Sequence, residues 1–222
     1  MKILICQPLH ETGTLQLETA LRSNQSIDWV LLPEGYLSNR GLVQEACKLS
    51  RDYGVGVISG YRDENLKDRA LVIDKSGAVI LDRAKSSMDG RLLSPSSVES
   101  GGIAIGYLLC VELLQGLEGF NDLGIHRMDF VAHPIGVGMF SEEQFDDWIA
   151  EAKRIAVEYK TLIIGASHAD GSYRNCGISI PIAYCIGSDG EEIFVYKDDV
   201  RTVVLDTERK SIEWLRQQRD TL

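Results

Sequence analysis

Three apolar runs in this chain each deliver a polar residue at the C-terminal end. Val30-Leu31-Leu32-Pro33 delivers Glu34, Val79-Ile80-Leu81 leads through Asp82 and Arg83 to Lys85, and Tyr107-Leu108-Leu109 delivers Cys110. A carboxylate, an ammonium and a thiol make a coherent chemical set. The thiol can attack a carbonyl, the carboxylate can take and return a proton, and the ammonium can stabilise an oxyanion. The run 102–112 ends at Cys110, and a helix-like segment, Glu112–Leu117, follows with no Gly or Pro between them. The thiol is therefore expected at a strand-to-helix turn, where a helix N-terminus and the lysine charge would both favour a thiolate. The bland alternative is a core cysteine, a solvated lysine and a strand-end carboxylate in water.

The elements that must position these residues follow from apolar periodicity. Strands are expected at Lys2–Gln7, Trp29–Leu32, Gly54–Ser59, Ile103–Cys110, Met128–Ala132, Thr161–Ala166 and Val200–Leu205. Helices are expected at Glu11–Asn24, Gly41–Tyr53, Glu112–Leu123, Glu142–Tyr159 and, as a tail, Glu208–Arg219. Arg69–Asp74 with Ala78–Arg83, and Ile178–Ile186 with Glu192–Tyr196, read as hairpins closed by Gly77 and Gly190. Met88–Gly101, rich in Ser, Gly and Pro, reads as a surface loop. The order is βα units followed by a hairpin, then the same again. Two such halves, sheet pressed on sheet, would make one α/β domain over residues 1–222 with four layers, α-β-β-α.

Composition narrows the function classes. The chain has 222 residues, 44% of them apolar and 25% charged, with a formal net charge of -10. That charge repels nucleic acid and anionic membrane. The five cysteines show no CxxC spacing and the four histidines no HxH or HxxxH pair, so neither a disulfide framework nor a metal site is expected. The apolar run at the N-terminus is too short for a signal peptide or a membrane span, which makes the cytoplasm the expected location.

Taken together, these stretches resemble the nitrilase superfamily, the carbon–nitrogen hydrolases. Lys2–Gln7 is similar to its first strand, Asp28–Glu34 to the strand ending in Pro-Glu, Ile80–Lys85 to the strand bearing its lysine, and Ile105–Glu112 to the strand ending at its nucleophile. Met128–Pro134, Trp148–Glu158, Cys176–Ser179 and Ser188–Glu191 continue the match in order. The resemblance implies a four-layer α-β-β-α sandwich, no cofactor, and hydrolysis of a non-peptide C–N bond in a small amide through a thioester. It assigns Glu34 as general base, Lys85 as oxyanion lysine and Cys110 as nucleophile, with the Val111 N–H as second oxyanion donor. Tyr36, His133 and Ile135 fall where the family shapes its substrate pocket, and a homodimer around the helices near the nucleophile is implied. Arg174 is a weaker candidate for binding a substrate carboxylate.

The chain also departs from the pattern. Lys85 is followed by Ser86-Ser87, Val111 stands where an aromatic is usual, and the auxiliary glutamate of many members has no clear counterpart, Glu99 being nearest. These departures motivate the alternatives: a binding or regulatory module that lost turnover, or a nitrile hydrolase or acyltransferase of the same fold.

Overall fold

The computed structural model describes residues 1–24, 26–170 and 177–214. The first half runs β1 (Lys2–Ile5), α1 (Leu15–Ser23), β2 (Trp29–Leu31), α2 (Arg40–Tyr53), β3 (Gly56–Arg62), β4 (Asp68–Ile73) and β5 (Val79–Ala84). The second runs β6 (Ser97–Ser100), β7 (Ile103–Tyr107), α3 (Leu113–Asp122), β8 (Phe130–Pro134), α4 (Glu142–Tyr159), β9 (Leu162–Ala166), β10 (Ile182–Ile186) and β11 (Glu192–Lys197). β12 (Val203–Asp206) and β13 (Ser211–Trp214) return to the first sheet.

The strand orders are β13-β12-β1-β2-β3-β4-β5 and β11-β10-β9-β8-β7-β6. Within each sheet three strands are parallel, β1-β2-β3 in one and β7-β8-β9 in the other, joined by helical crossovers. Parallel neighbours need such crossovers, so their helices cover one face of each sheet. Three apolar clusters result. One lies between the sheets and joins Ile5, Leu31, Ile58 and Val72 to Tyr107, Leu109, Ala132 and Ile164. A second packs α1 and α2 on the first sheet, and a third packs α3 and α4 on the other. This is the expected α-β-β-α sandwich.

Local chemistry sets several boundaries. Asn39 accepts from the Leu42 N–H at 3.1 Å and Ser141 from the Gln144 N–H at 3.1 Å, which starts α2 and α4. Gly77 and Gly190 take φ of 81° and 82° in the two hairpin turns. No helix among the described residues is long and apolar enough to cross a membrane.

Two local expectations are corrected. The loop 88–101 contains β6, which pairs antiparallel with β7. The expected tail helix is instead a strand, Ser211–Trp214, paired with β12; residues 215–219 of that expectation lie outside the described residues. Its true period is two: Ile212 and Trp214 turn to the inter-sheet core, and Arg201 stacks over the Trp214 ring at 3.4 Å.

Candidate active site

The C-terminal ends of β2, β5 and β7 meet at one edge of the sandwich, where open α/β sheets collect their functional groups. Glu34 sits in the turn after β2. The Gly35 N–H donates to the Gly60 carbonyl at 3.1 Å, and His168 Nε2 donates to the Glu34 carbonyl at 3.1 Å. Gly60 is tightly packed: a Cβ there would stand 3.0 Å from Glu34 Cα and 3.0 Å from Leu109 Cδ1, so both neighbours would have to give way slightly. Lys85 follows β5 directly, its N–H bonded to the Asp68 carbonyl at 2.8 Å, and its Nζ donates to Glu34 Oε1 at 2.7 Å. Cys110 lies near enough to the Glu34 carboxylate, the Gly136 N–H and the Lys85 ammonium for all three to act on its thiol. The structure thus brings Glu34, Lys85 and Cys110 together. Lys85, with 21% of its side chain exposed, keeps the cluster open to solvent, and Cys110 is 7% exposed.

The Cys110 turn is held from both sheets. The Tyr107 hydroxyl donates to the Ser59 carbonyl at 2.7 Å across the sandwich. Cys110 has φ of 52°, in the left-handed region that side chains other than glycine seldom adopt. It opens a 3-10 turn, Cys110–Glu112, that leads into α3. Val111 lies in that first turn, where N–H groups lack intrahelical partners. Glu112 is buried beneath it. Its carboxylate accepts two hydrogen bonds from Arg83, both at 2.7 Å, one from the Ser86 N–H at 2.6 Å and one from the Leu109 N–H at 2.7 Å. One buried pair therefore joins the strand carrying Lys85 to the turn carrying Cys110.

Electrostatics define the resting state. Burial pushes the Glu34 carboxyl above its ordinary value and Asp68 adds to the rise, against the charge and hydrogen bond of Lys85. Burial alone would lower the Lys85 pKa, but Cys110, Glu34 and Asp68 together hold it above the ordinary lysine value. The Cys110 thiol is pushed up to about 12 by burial and then by Glu34, with Lys85 and the Gly136 N–H opposing. The expectation of a lysine-stabilised resting thiolate is therefore corrected. Removal from water outweighs the nearby cation, so the sulfur rests as a thiol beside a carboxylate that can accept its proton.

The expected pocket residues divide. Tyr36 does not join the Glu34–Lys85–Cys110 cluster: its ring packs in the core beneath α1 and α2, where its hydroxyl donates to Glu11 and accepts from the Leu17 N–H. Ile135 is likewise directed into the core under α3 and α4. The next residue, Gly136, faces the sulfur with its N–H. His133 is fully buried and bonds the Cys110 carbonyl. Glu99 is exposed on β6 in register with Ala104, six residues before Cys110 and on the order of 20 Å from it along the strand. Leu113, at the start of α3, is buried. Arg174 lies outside the described residues.

Sequence reasoning overlooked Gly60, Asp68, Gly136 and His168. Their roles rest on backbone approach or cross-strand adjacency, which leave no spacing signal. His10, His168 and Asp170 also place donor atoms within 4.8 Å of one another. The two imidazole rings stack 3.7 Å apart at 13°, so their in-plane lone pairs run parallel instead of converging, and His10 Nδ1 meets Asp170 at 2.7 Å. That is the geometry of a His–Asp pair laid over a buried ring, not a metal cradle.

The fold is that of the nitrilase superfamily. A carbon-nitrogen hydrolase from Helicobacter pylori G27 superposes with a TM-score of 0.72 at 14% identity, covering 95% of this chain and 90% of its own. A mutant amidase from Nesterenkonia sp. AN1, carrying the acetamide moiety of fluoroacetamide covalently at its active site cysteine, gives 0.75 at 16% identity, covering 93% and 90%. The C. elegans NitFhit protein gives 0.71 at 13%, covering 94% of this chain and 61% of its own. No protein-family model matches the chain, and no curated protein matches it in sequence. At such identities the likeness is one of fold.

Proposed function

We propose that the protein is a carbon–nitrogen hydrolase acting on small amides with Cys110 as nucleophile. The observation that carries this reading is the Lys85–Glu34 pair at 2.7 Å beside a thiol at the mouth of a helical turn. As the sulfur attacks the amide carbon, its proton passes to Glu34. The oxyanion that forms is met by the Lys85 ammonium and the Val111 N–H. Glu34 then gives its proton to the departing ammonia or amine, leaving a thioester on Cys110. A water deprotonated by Glu34 cleaves that thioester, releasing the acid and restoring the thiol. Because the thiol rests protonated, removal of its proton by Glu34 belongs to the attack step. The acetamide adduct of the Nesterenkonia amidase marks its active site cysteine as a nucleophile, which supports that role for Cys110 here.

The test is ammonia release from a panel of small amides, carbamoyl compounds and nitriles, with intact-mass and peptide analysis after exposure to fluoroacetamide. Turnover of an amide together with an adduct on Cys110 is expected. A protein that binds panel members, releases no ammonia and forms no adduct would be a binding module instead.

Two predictions arise from the geometry. Glu34 must be ionised to act as a base, so activity falls as pH drops through its pKa. The acid limb of kcat/KM is expected above the ordinary carboxylate value of 4.5, because burial raises that pKa. Asp68→Asn removes a negative neighbour and moves the limb to lower pH; an unmoved or raised limb contradicts this. Gly60→Ala presses a methyl group against Glu34 and Leu109, with an expected loss of roughly 10- to 100-fold in kcat. Steady-state kinetics on a variant with unchanged melting behaviour checks it.

A further inference from the structure

We propose that His133 is a positioning residue that holds the nucleophile's peptide in its left-handed conformation, and not a substrate contact. The proposal rests on the reading of Cys110 as nucleophile. Cys110 has φ of 52°, a conformation that persists only where its surroundings impose it. Its carbonyl accepts from the Leu113 N–H within the helical turn and from His133 Nε2 at 2.8 Å. A carbonyl oxygen has no proton to give, so Nε2 carries the hydrogen and Nδ1 is the acceptor. The Tyr184 hydroxyl, 2.6 Å from Nδ1, donates to it and fixes that tautomer.

The relay runs from β10 through β8 to the nucleophile turn. Gly165 on β9 makes room for it, because a Cβ there would stand 2.5 Å from the Tyr184 ring. Trp148 on α4 lies against the imidazole, with ring centres 5.5 Å apart. His133 is fully buried on the helix-covered side of its sheet, in contact with the Cys110 main chain. The imidazole is sealed from solvent while Cys110 keeps 7% exposure, so a ligand that reaches the sulfur does not reach the ring. Burial also lowers the His133 pKa to about 4, against the Cys110 hydrogen bond, so the ring stays neutral across the working pH range.

The experiment compares His133→Leu, His133→Gln and Tyr184→Phe with the parent, measuring kcat, KM, melting temperature and the rate of Cys110 modification by fluoroacetamide. Leucine removes the donor. It is expected to lower kcat and the modification rate by about 10- to 100-fold with KM changed less than about twofold. Glutamine can donate to the Cys110 carbonyl and accept from Tyr184, and should return both rates to within about fivefold of the parent. Tyr184→Phe, which keeps the imidazole in place, should fall between them, and it carries the test if the leucine variant does not fold. A raised KM at unchanged kcat in His133→Leu would make His133 a substrate contact and overturn the proposal. So would a folded His133→Gln as slow as the leucine variant, or a modification rate that no variant changes. If the parent itself forms no adduct at Cys110, the nucleophile reading fails first and this proposal with it.

Discussion

Cys110→Ala is expected to abolish ammonia release, by at least about 10⁴-fold, while leaving the fold in place. The substitution removes one sulfur atom and keeps the backbone, since alanine meets the same cost at φ of 52° as cysteine does. The lost packing is that of a single sulfur atom in a residue 7% exposed, and the melting temperature should stay within a few degrees. Glu34 and Lys85 remain paired in the variant, so substrate can still dock and shift the melting curve. Ammonia release at the parent's rate from this variant would end the thioester mechanism. The Cys110 adduct with fluoroacetamide should vanish in parallel. Modification of Cys6, Cys47 and Cys185 should be slow in both proteins, because burial raises all three thiols and none has a carboxylate–lysine pair beside it.

Glu112→Ala is the substitution with the largest expected effect on stability. It leaves Arg83, 4% exposed, with its charge buried and two of its donors unpaired, and it strands the Ser86 and Leu109 N–H groups. Breaking a buried pair from one side costs about 3–5 kcal/mol, which in a chain of this size lowers the melting temperature by roughly 10 °C. Replacing both partners, as Arg83→Met with Glu112→Leu, should recover much of that loss, because no lone charge is then buried. A single variant as stable as the parent would show that the pair contributes little. The pH dependence has a definite sign. Burial raises the Glu112 carboxyl, but the Arg83 hydrogen bonds and charge, with the Ser86 and Leu109 N–H groups, outweigh it and hold the pKa below the ordinary value. Stability from this group is therefore present above the unfolded-state pKa and lost as pH falls through the folded one. In Glu112→Ala that part of the acid sensitivity should disappear. Activity should fall with stability here, since the same carboxylate ties the Lys85 strand to the Cys110 turn.

Much of this architecture was legible before any coordinates. Alternation and apolar runs mark most strands because each has a face in the inter-sheet core, as Ile5, Leu31 and Ile164 do. Amphipathic spacing marks α2 and α4 because their buried faces, Ala46 and Val43 in one and Ala152 and Ile155 in the other, repeat at the helical period. The tail misled because the sequence offers both a helical spacing, Ile212 with Leu215, and an alternating one, Ile212 with Trp214, and pairing with β12 decided the matter.

What the amino-acid order determined by itself is which groups arrive at strand ends: a polar residue after an apolar run is local information, so Glu34, Lys85 and Cys110 could be named from it. Which way the other side chains turn was decided by the tertiary structure. Tyr36 and Ile135 went to the outer cores, where apolar side chains of helix and sheet surround them. The protonation of the sulfur was decided there too. A sequence records that a lysine exists, but the balance between its charge and the loss of water depends on depth, and at Cys110 burial and Glu34 outweigh the charge of Lys85.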